Sequence, residues 1–184
     1  MVCLRKQVWF VLLAVVVLAS CTAAAAQSRS AKSQTAHAGH PLAELLDKRR
    51  VWLVVFRSRV VEVGSDSERA IIEDVLKADP KPRGRFRWAY NIMARKLNKY
   101  MDKYRSITAA EGLADAEYVI YFNVVEFRRV LDSVYPYGEL FVIVKGSPEQ
   151  LKPPRIVWRA KKVRFAEDAI GDLIKDLKVV RGES

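Results

Sequence analysis

Residues 117–125 read Glu117-Tyr118-Val119-Ile120-Tyr121-Phe122-Asn123-Val124-Val125, and an earlier stretch, Arg50-Val51-Trp52-Leu53-Val54-Val55-Phe56, has the same character. Runs this continuously apolar, rich in β-branched and aromatic side chains, read as central strands; the one at 50–56 reads as covered on both faces. That first run can extend through Arg59-Val60-Val61-Glu62-Val63, in more polar surroundings, before Gly64 ends it. Two more strands are expected at Glu139 to Lys145 and Arg155 to Phe165, with Pro136-Tyr137-Gly138 and Gly146-Ser147-Pro148 between them as turns.

Between the first two strands the pattern changes to a helical period. Leu42 to Asp47 can form one helical turn ahead of them. Ser65 and Glu68 have capping-box spacing, and Ile71, Ile72, Val75 and Leu76 supply one apolar face before Asp79-Pro80-Lys81-Pro82-Arg83-Gly84 breaks the helix. Phe86, Tyr90, Met93, Leu97, Tyr100 or Met101, and Tyr104 then recur in steps of four and three, which predicts a long helix with one aromatic stripe. Ala166 to Lys178 reads as a closing helix, with Glu167 and Asp168 at its start and Lys175 and Lys178 near its end, as the macrodipole favours. Its inner face is Ile170, Leu173, Ile174 and Leu177.

The order β-α-α-β-β-β-α implies an α+β protein. Short turns favour antiparallel pairing of the last three strands, and the helical excursion permits a parallel crossover between the first two. The expectation is a two-layer sandwich: one four-stranded mixed sheet with helices on one face, occupying residues 42–184.

The first residues read as an address. Arg5 and Lys6 precede an uncharged run from Val8 to Ala19, a length suited to an export signal. Leu18-Ala19-Ser20-Cys21 resembles the bacterial lipobox. The resemblance implies cleavage before Cys21, a diacylglycerol on its sulfur and an acyl chain on the new amino group; several chains hold a membrane stably where one is marginal. Position 22 is Thr, not Asp, which under the sorting rule of such lipoproteins points to the outer membrane, facing the periplasm. Three plainer readings stand beside it. Ala24-Ala25-Ala26 fits ordinary signal cleavage after Ala26, leaving a soluble secreted or periplasmic chain. Val8 to Ala26 approaches the length of an uncut spanning anchor. Cys21 can also be incidental. Cys3 lies in the leader and is lost on any cleavage, so no internal disulfide is possible in a mature chain.

Residues 22–41 are small and polar without an apolar period, and read as a flexible tether with a reach of roughly 25 Å. His37 and His40 lie in it, and two ligands on a floppy segment make a poor metal site. With lipobox, tether and the α+β layout, the chain resembles small bacterial envelope lipoprotein domains, similar in general shape to the curli-secretion and lipopolysaccharide-assembly lipoproteins. The pieces that carry this are Glu117-Tyr118-Val119-Ile120 and Arg155-Ile156-Val157-Trp158-Arg159. The resemblance implies binding or assembly work more than catalysis, and it carries over no functional residue.

Residues 42–184 contain no His and no Cys, which removes Ser-His-Asp and Cys-His catalysis and nearly every zinc site. No nucleophile elbow, P-loop or dinucleotide fingerprint occurs. No cofactor or metal is expected. A carboxylate-based hydrolase of envelope polymer remains as the catalytic alternative, with Glu62, Glu111, Asp115, Glu117 and Glu126 as candidates. Each lies near basic residues, so surface ion pairing is the plain reading.

Charge says more. Lys and Arg number 32 against 21 Asp and Glu, an excess that survives loss of Arg5 and Lys6. In a cytosolic chain this would point to nucleic acid; behind an export signal no nucleic acid partner is expected. Residues 85–105 hold Arg85, Arg87, Arg95, Lys96, Lys99, Lys103 and Arg105 against Asp102 alone, and 155–164 add five more cations without an acid. Arg95, Lys99 and Lys103 recur every four residues as a ridge away from the aromatic stripe. The plain reading is a solvated face whose stems cover apolar surface. The functional reading makes Arg95, Lys99, Lys103, Arg159, Lys161 and Lys162 a binding surface for anionic lipid or an acidic envelope polymer. Partners are then the membrane through acylated Cys21, an anionic surface, and another envelope protein, the last through an exposed sheet edge at Glu139 to Lys145.

Overall fold

In the computed structural model the described residues are 39–58, 65–78, 82–146, 152–160 and 162–184. The leader, Cys21, His37, nearly all of the tether, the continuation at 59–63 with Glu62, part of the 146–148 turn and Lys161 lie outside them. The folded unit runs from Pro41 to Ser184.

The strand at the centre is the one containing 117–125, now Tyr118–Val130. Its side chains alternate: Tyr118, Ile120, Phe122 and Val124 enter one core, while Val119 and Tyr121 enter another on the opposite face. Arg50–Phe56 does the same, with Val51, Leu53 and Val55 on the first face and Trp52 and Val54 on the second. A strand apolar on both faces needs a cover on both, and each face has one. Calling the helices α1 (Ser65–Leu76), α2 (Arg85–Tyr104) and α3 (Ala166–Arg181), α2 and α3 close the first face with Met93, Leu97, Tyr100, Ile170, Leu173 and Leu177. Helix α1 closes the second with Ile71, Ile72 and Val75. The expected two-layer arrangement with helices on one face is therefore corrected: the period of two in the strands left apolar side chains on both sides, and α1 takes the second.

The sheet is mixed and has six strands, not four. In chain order they are β1 (Arg50–Phe56), β2 (Thr108–Ala109), β3 (Tyr118–Val130), β4 (Ser133–Val144), β5 (Arg155–Arg159) and β6 (Arg164–Phe165). Spatially the order is β2-β1-β3-β4-β5, with β6 also on β4. Strand β1 runs parallel to β2 and β3, and β4 runs antiparallel to β3, β5 and β6. The expected strand at 155–165 splits into β5 and β6, because Ala160 leaves the ladder to pack in the core while its N–H still reaches the Leu140 carbonyl at 2.9 Å. Strand β4 lies between β3 on one side and β5 with β6 on the other, so Glu139 to Lys145 is not a sheet edge.

The expected turn at Pro136-Tyr137-Gly138 is strand instead. Pro136 pairs with Phe127 on its β3 side and lies beyond β6, which reaches only Tyr137 and Gly138, so its missing N–H costs no bond to β6. Gly138 is opposite Val124 at a β-bulge, where a Cβ would collide with the Asn123 carbonyl. The real turn is Leu131-Asp132, joining Val130 to Ser133, and Leu131 has φ +54°.

Both long helices end in left-handed residues, Arg105 after α2 and Gly182 after α3. Helix α3 has Glu167 and Asp168 in its first turn and Lys178 and Arg181 in its last. The Arg181 guanidinium, reaching back from the end of the chain, donates to the carbonyls of Leu45, Lys48 and Ser106 at 2.5, 2.7 and 3.3 Å. It ties the 3-10 turn at Ala43–Leu45 and the loop after α2 to the last helix. Tyr100 donates to Glu183 at 2.6 Å, and burial first, then that bond, pushes its pKa up.

Candidate anionic-surface site

Helix α2 positions the ridge. Its stripe of Ala89, Met93, Leu97 and Tyr100 is buried against the sheet, which turns Arg95, Lys99 and Lys103 to solvent. Arg95 and Lys99 line a shallow open groove with Asn91, Ala94, Asn98 and Asp102. The chemistry of that groove is cations interleaved with neutral amides, beside one acid. Neither Arg95, Lys99 nor Lys103 has a carboxylate partner among the described residues. Lys96, roughly a quarter turn round the helix from Arg95, does: its ammonium is 3.3 Å from Glu167 and also donates to the Glu167 carbonyl at 3.1 Å.

Lys103 and Lys178 flank Tyr104, with nitrogens 4.7 and 5.1 Å from the ring centroid, and Tyr104 meets Tyr100 at 5.3 Å between centroids. Lys103 and then Lys178 hold the Tyr104 phenol below its ordinary pKa. Both helices end here, so these cations also serve the carbonyl ends of α2 and α3.

Of the rest of the sequence-predicted cluster, Arg159 does not join the ridge and Lys161 lies outside the described residues. Arg159 lies on the α1 side of the sheet, opposite Phe141, and its guanidinium donates to Glu139 at 2.6 Å while covering the Phe141 ring at 5.2 Å. A cation so paired is spent on the fold. Lys162 is exposed between β5 and β6. Arg155 pairs with Glu44, and Arg164 with Asp172 at 3.0 Å. The alternation of side chains across β5 decides the placements of Arg155 and Arg159, and the irregularity between Val142 and Ile143 shifts that alternation.

Glu117 and Glu126, two of the carboxylate candidates, do not form a pair, and Glu62 lies outside the described residues. Glu117 accepts the backbone N–H groups of Arg49 and Arg50 at 2.8 and 2.7 Å, stitching the starts of β1 and β3. Burial raises its pKa, but the bonds from Arg50 and Arg49 and the charges of Arg50 and Lys48 outweigh it and hold the carboxyl low. Glu126 lies on the same strand nine residues on, roughly 30 Å away at strand spacing, and pairs with Arg128. That is far beyond the separation of a glycosidase pair, about 5–10 Å. Glu111 and Asp115 are exposed in the loop after β2. Among the described residues no group of three or more His, Cys, Asp or Glu could hold a metal, and no helix is long and apolar enough to cross a membrane.

Sequence reasoning missed a buried polar set at the end of β1. Ser58 donates its hydroxyl to Asp74 of α1 at 2.7 Å, and its N–H goes to the Asn123 side chain at 3.0 Å. Ladder pairing of β1 with β3 stops at Phe56 and Asn123, so the amide of Asn123 extends it by side chain. The only signal was Asn123, the single polar residue inside an apolar run. Tyr121 packs beside this set, 4.6 Å from Phe56 between ring centroids, with its phenol pKa raised by burial.

Comparison of the chain with protein-family models, with curated proteins and with solved structures finds no match.

Proposed function

We propose that the protein is an exported binding module of the bacterial envelope, held to the outer membrane by an acylated Cys21 and engaging anionic membrane surface through α2. It binds; it does not catalyse. One observation carries this reading: Arg95, Lys99 and Lys103 stand exposed along one helix without carboxylate partners among the described residues, whereas Lys96, Arg128, Arg155, Arg159 and Arg164 are paired. Like charges four residues apart repel, so the row does not help the helix form. Near an anionic surface each contributes about 1 kcal/mol. Arg159 drops out of the site, and Lys162 remains an exposed cation outside α2.

The test compares the full chain with the R95Q/K99Q/K103Q variant on phosphatidylcholine vesicles with and without phosphatidylglycerol, over a salt series. The preference for phosphatidylglycerol should fall with salt and should drop roughly tenfold to a hundredfold in the variant. An unchanged preference would refute the role of the ridge. An acidic polymer that competes better than phosphatidylglycerol vesicles would move the ligand from lipid to polymer. Mass spectrometry of the natural amino terminus tests acylation of Cys21 directly.

A further inference from the structure

Strand β3 pairs with β1 only as far as Asn123, and β4 meets β6 no earlier than Tyr137. Beyond those points, among the described residues, the two strands pair only with each other and end in the two-residue turn Leu131-Asp132. Among the described residues the result is a two-stranded ribbon extending past the rest of the sheet. Its base is anchored: Phe127 packs on Phe86 at 5.8 Å, and Tyr135 on Trp88 and Phe165 at 5.6 and 5.3 Å between ring centroids. Its tip has no such cover among the described residues. Leu131 is 90% exposed, and Val130 and Val134 are 47% and 41% exposed.

Leu131 is unfavourable twice. Its φ of +54° is the first position of a hairpin turn, where glycine is the ordinary choice, and its side chain points into water. Below it the residues are stratified. Arg129 is exposed, Arg128 pairs with Glu126 and stacks 4.5 Å from the Tyr137 ring centroid, and Arg85 lies 5.9 Å from that of Phe127. Trp88, 40% exposed, completes an aromatic level at the base. The acids are Glu126, already paired, and Asp132 at the apex.

We infer that this hairpin is a membrane-insertion element: Leu131 and Val130 enter the headgroup–acyl boundary of an anionic bilayer, with Arg129 and its cross-strand neighbour Val134 at the phosphate level and Arg128, opposite Tyr135, one step further from the tip. An apolar tip, a cationic collar and a Trp/Tyr level follow the layering of a bilayer interface. A convex two-stranded tip offers far less than the roughly 800 Å² per partner of a stable protein interface, so lipid fits it better than a second protein. Asp132 limits entry to the boundary. The inference rests on the proposed anionic-surface function and adds depth to it: the ridge attracts, the tip enters.

The test uses the full chain with Cys3 and Cys21 changed to Ser, and a polarity-sensitive dye on Leu131→Cys or, at the far end of the sheet, on Thr108→Cys. On phosphatidylglycerol-containing vesicles the dye at 131 should shift to an apolar emission and the dye at 108 should not. Leu131→Ser should weaken binding about tenfold and Leu131→Met should retain it. If the chain binds with a phosphatidylglycerol preference while the dye at 131 stays water-like, the insertion element is refuted and the surface-binding function stands. If no phosphatidylglycerol preference exists, both fall. A shift that appears without vesicles and grows with protein concentration would assign the tip to a second copy of the chain and overturn the inference.

Discussion

Leu131 separates stability from binding at one position. Glycine there would relieve a left-handed conformation that costs a non-glycine residue about 1–3 kcal/mol, set against about 0.5–1 kcal/mol for glycine's greater chain entropy. Leu131→Gly should therefore be neutral to about 2 kcal/mol stabilising in urea denaturation, yet lose vesicle binding as Leu131→Ser does. Glu117 is the opposite case, a carboxylate serving the fold alone. Glu117→Gln should cost about 1 kcal/mol at neutral pH, a modest figure because the side chain is 34% exposed. Its folded pKa lies below the ordinary value, so this stabilisation is complete above the ordinary carboxyl range and is lost as pH falls through the folded pKa. Denaturation midpoints of the two chains should converge in acid; a gap that persists there would mean the carboxylate charge is not what matters. Neither role was legible from the residues. Glu117 looked like any acid among bases, because only the parallel register of β1 and β3 brings Arg49 and Arg50 amides to it.

At the scale of elements, the apolar runs at 50–56 and 118–125 and the stripe of α2 were readable because burial is written into their periods. The β3–β4 hairpin was not. Pro136-Tyr137-Gly138 carries turn residues, but Gly138 is used for its missing side chain at the bulge and Pro136 for its position beyond β6, while the true turn has Leu where turn chemistry calls for Gly. Gly138→Ala puts a methyl into the Asn123 carbonyl and against the tip of the fully buried Phe122 ring. It should destabilise by about 3 kcal/mol or more, read as a lower denaturation midpoint, because relief requires shifting β3 against β4. The ridge on α2 behaves differently. The R95Q/K99Q/K103Q variant should leave helix content unchanged, and circular dichroism should show a melt close to that of the parent chain, since relief of mutual repulsion offsets the loss of Lys103 from the Tyr104 ring and the carbonyl end of α2. A large loss of stability would mean the three cations serve the fold.

For the whole molecule, the element order predicted the α+β class and the parallel-then-antiparallel sheet, but not which face each helix covers. Nothing in an amphipathic stripe says which side of a two-faced strand it will meet. The two faces are also held unequally. Helices α2 and α3 pack on the sheet and on each other, joined by Met93, Leu97, Ile170 and Leu173 and by the contact of Lys96 with Glu167. Helix α1 rests on Ile71, Ile72 and Val75, with the Ser58–Asp74 hydrogen bond at 2.7 Å as its polar tie to the end of β1. Fewer buried side chains and no helical neighbour on that face among the described residues make α1 the weaker unit, and local opening follows buried contact. Native-state hydrogen exchange should find the amides around Ile72 opening at about 2 kcal/mol less than those around Met93 and Leu97. Ile71→Ala should widen that gap, because the lost burial falls on α1's own docking. Global unfolding would then begin from a state that keeps the α2–α3 face. Equal protection in α1 and α2 would instead show that the two faces form one cooperative unit, with the sheet transmitting the loss from one side to the other.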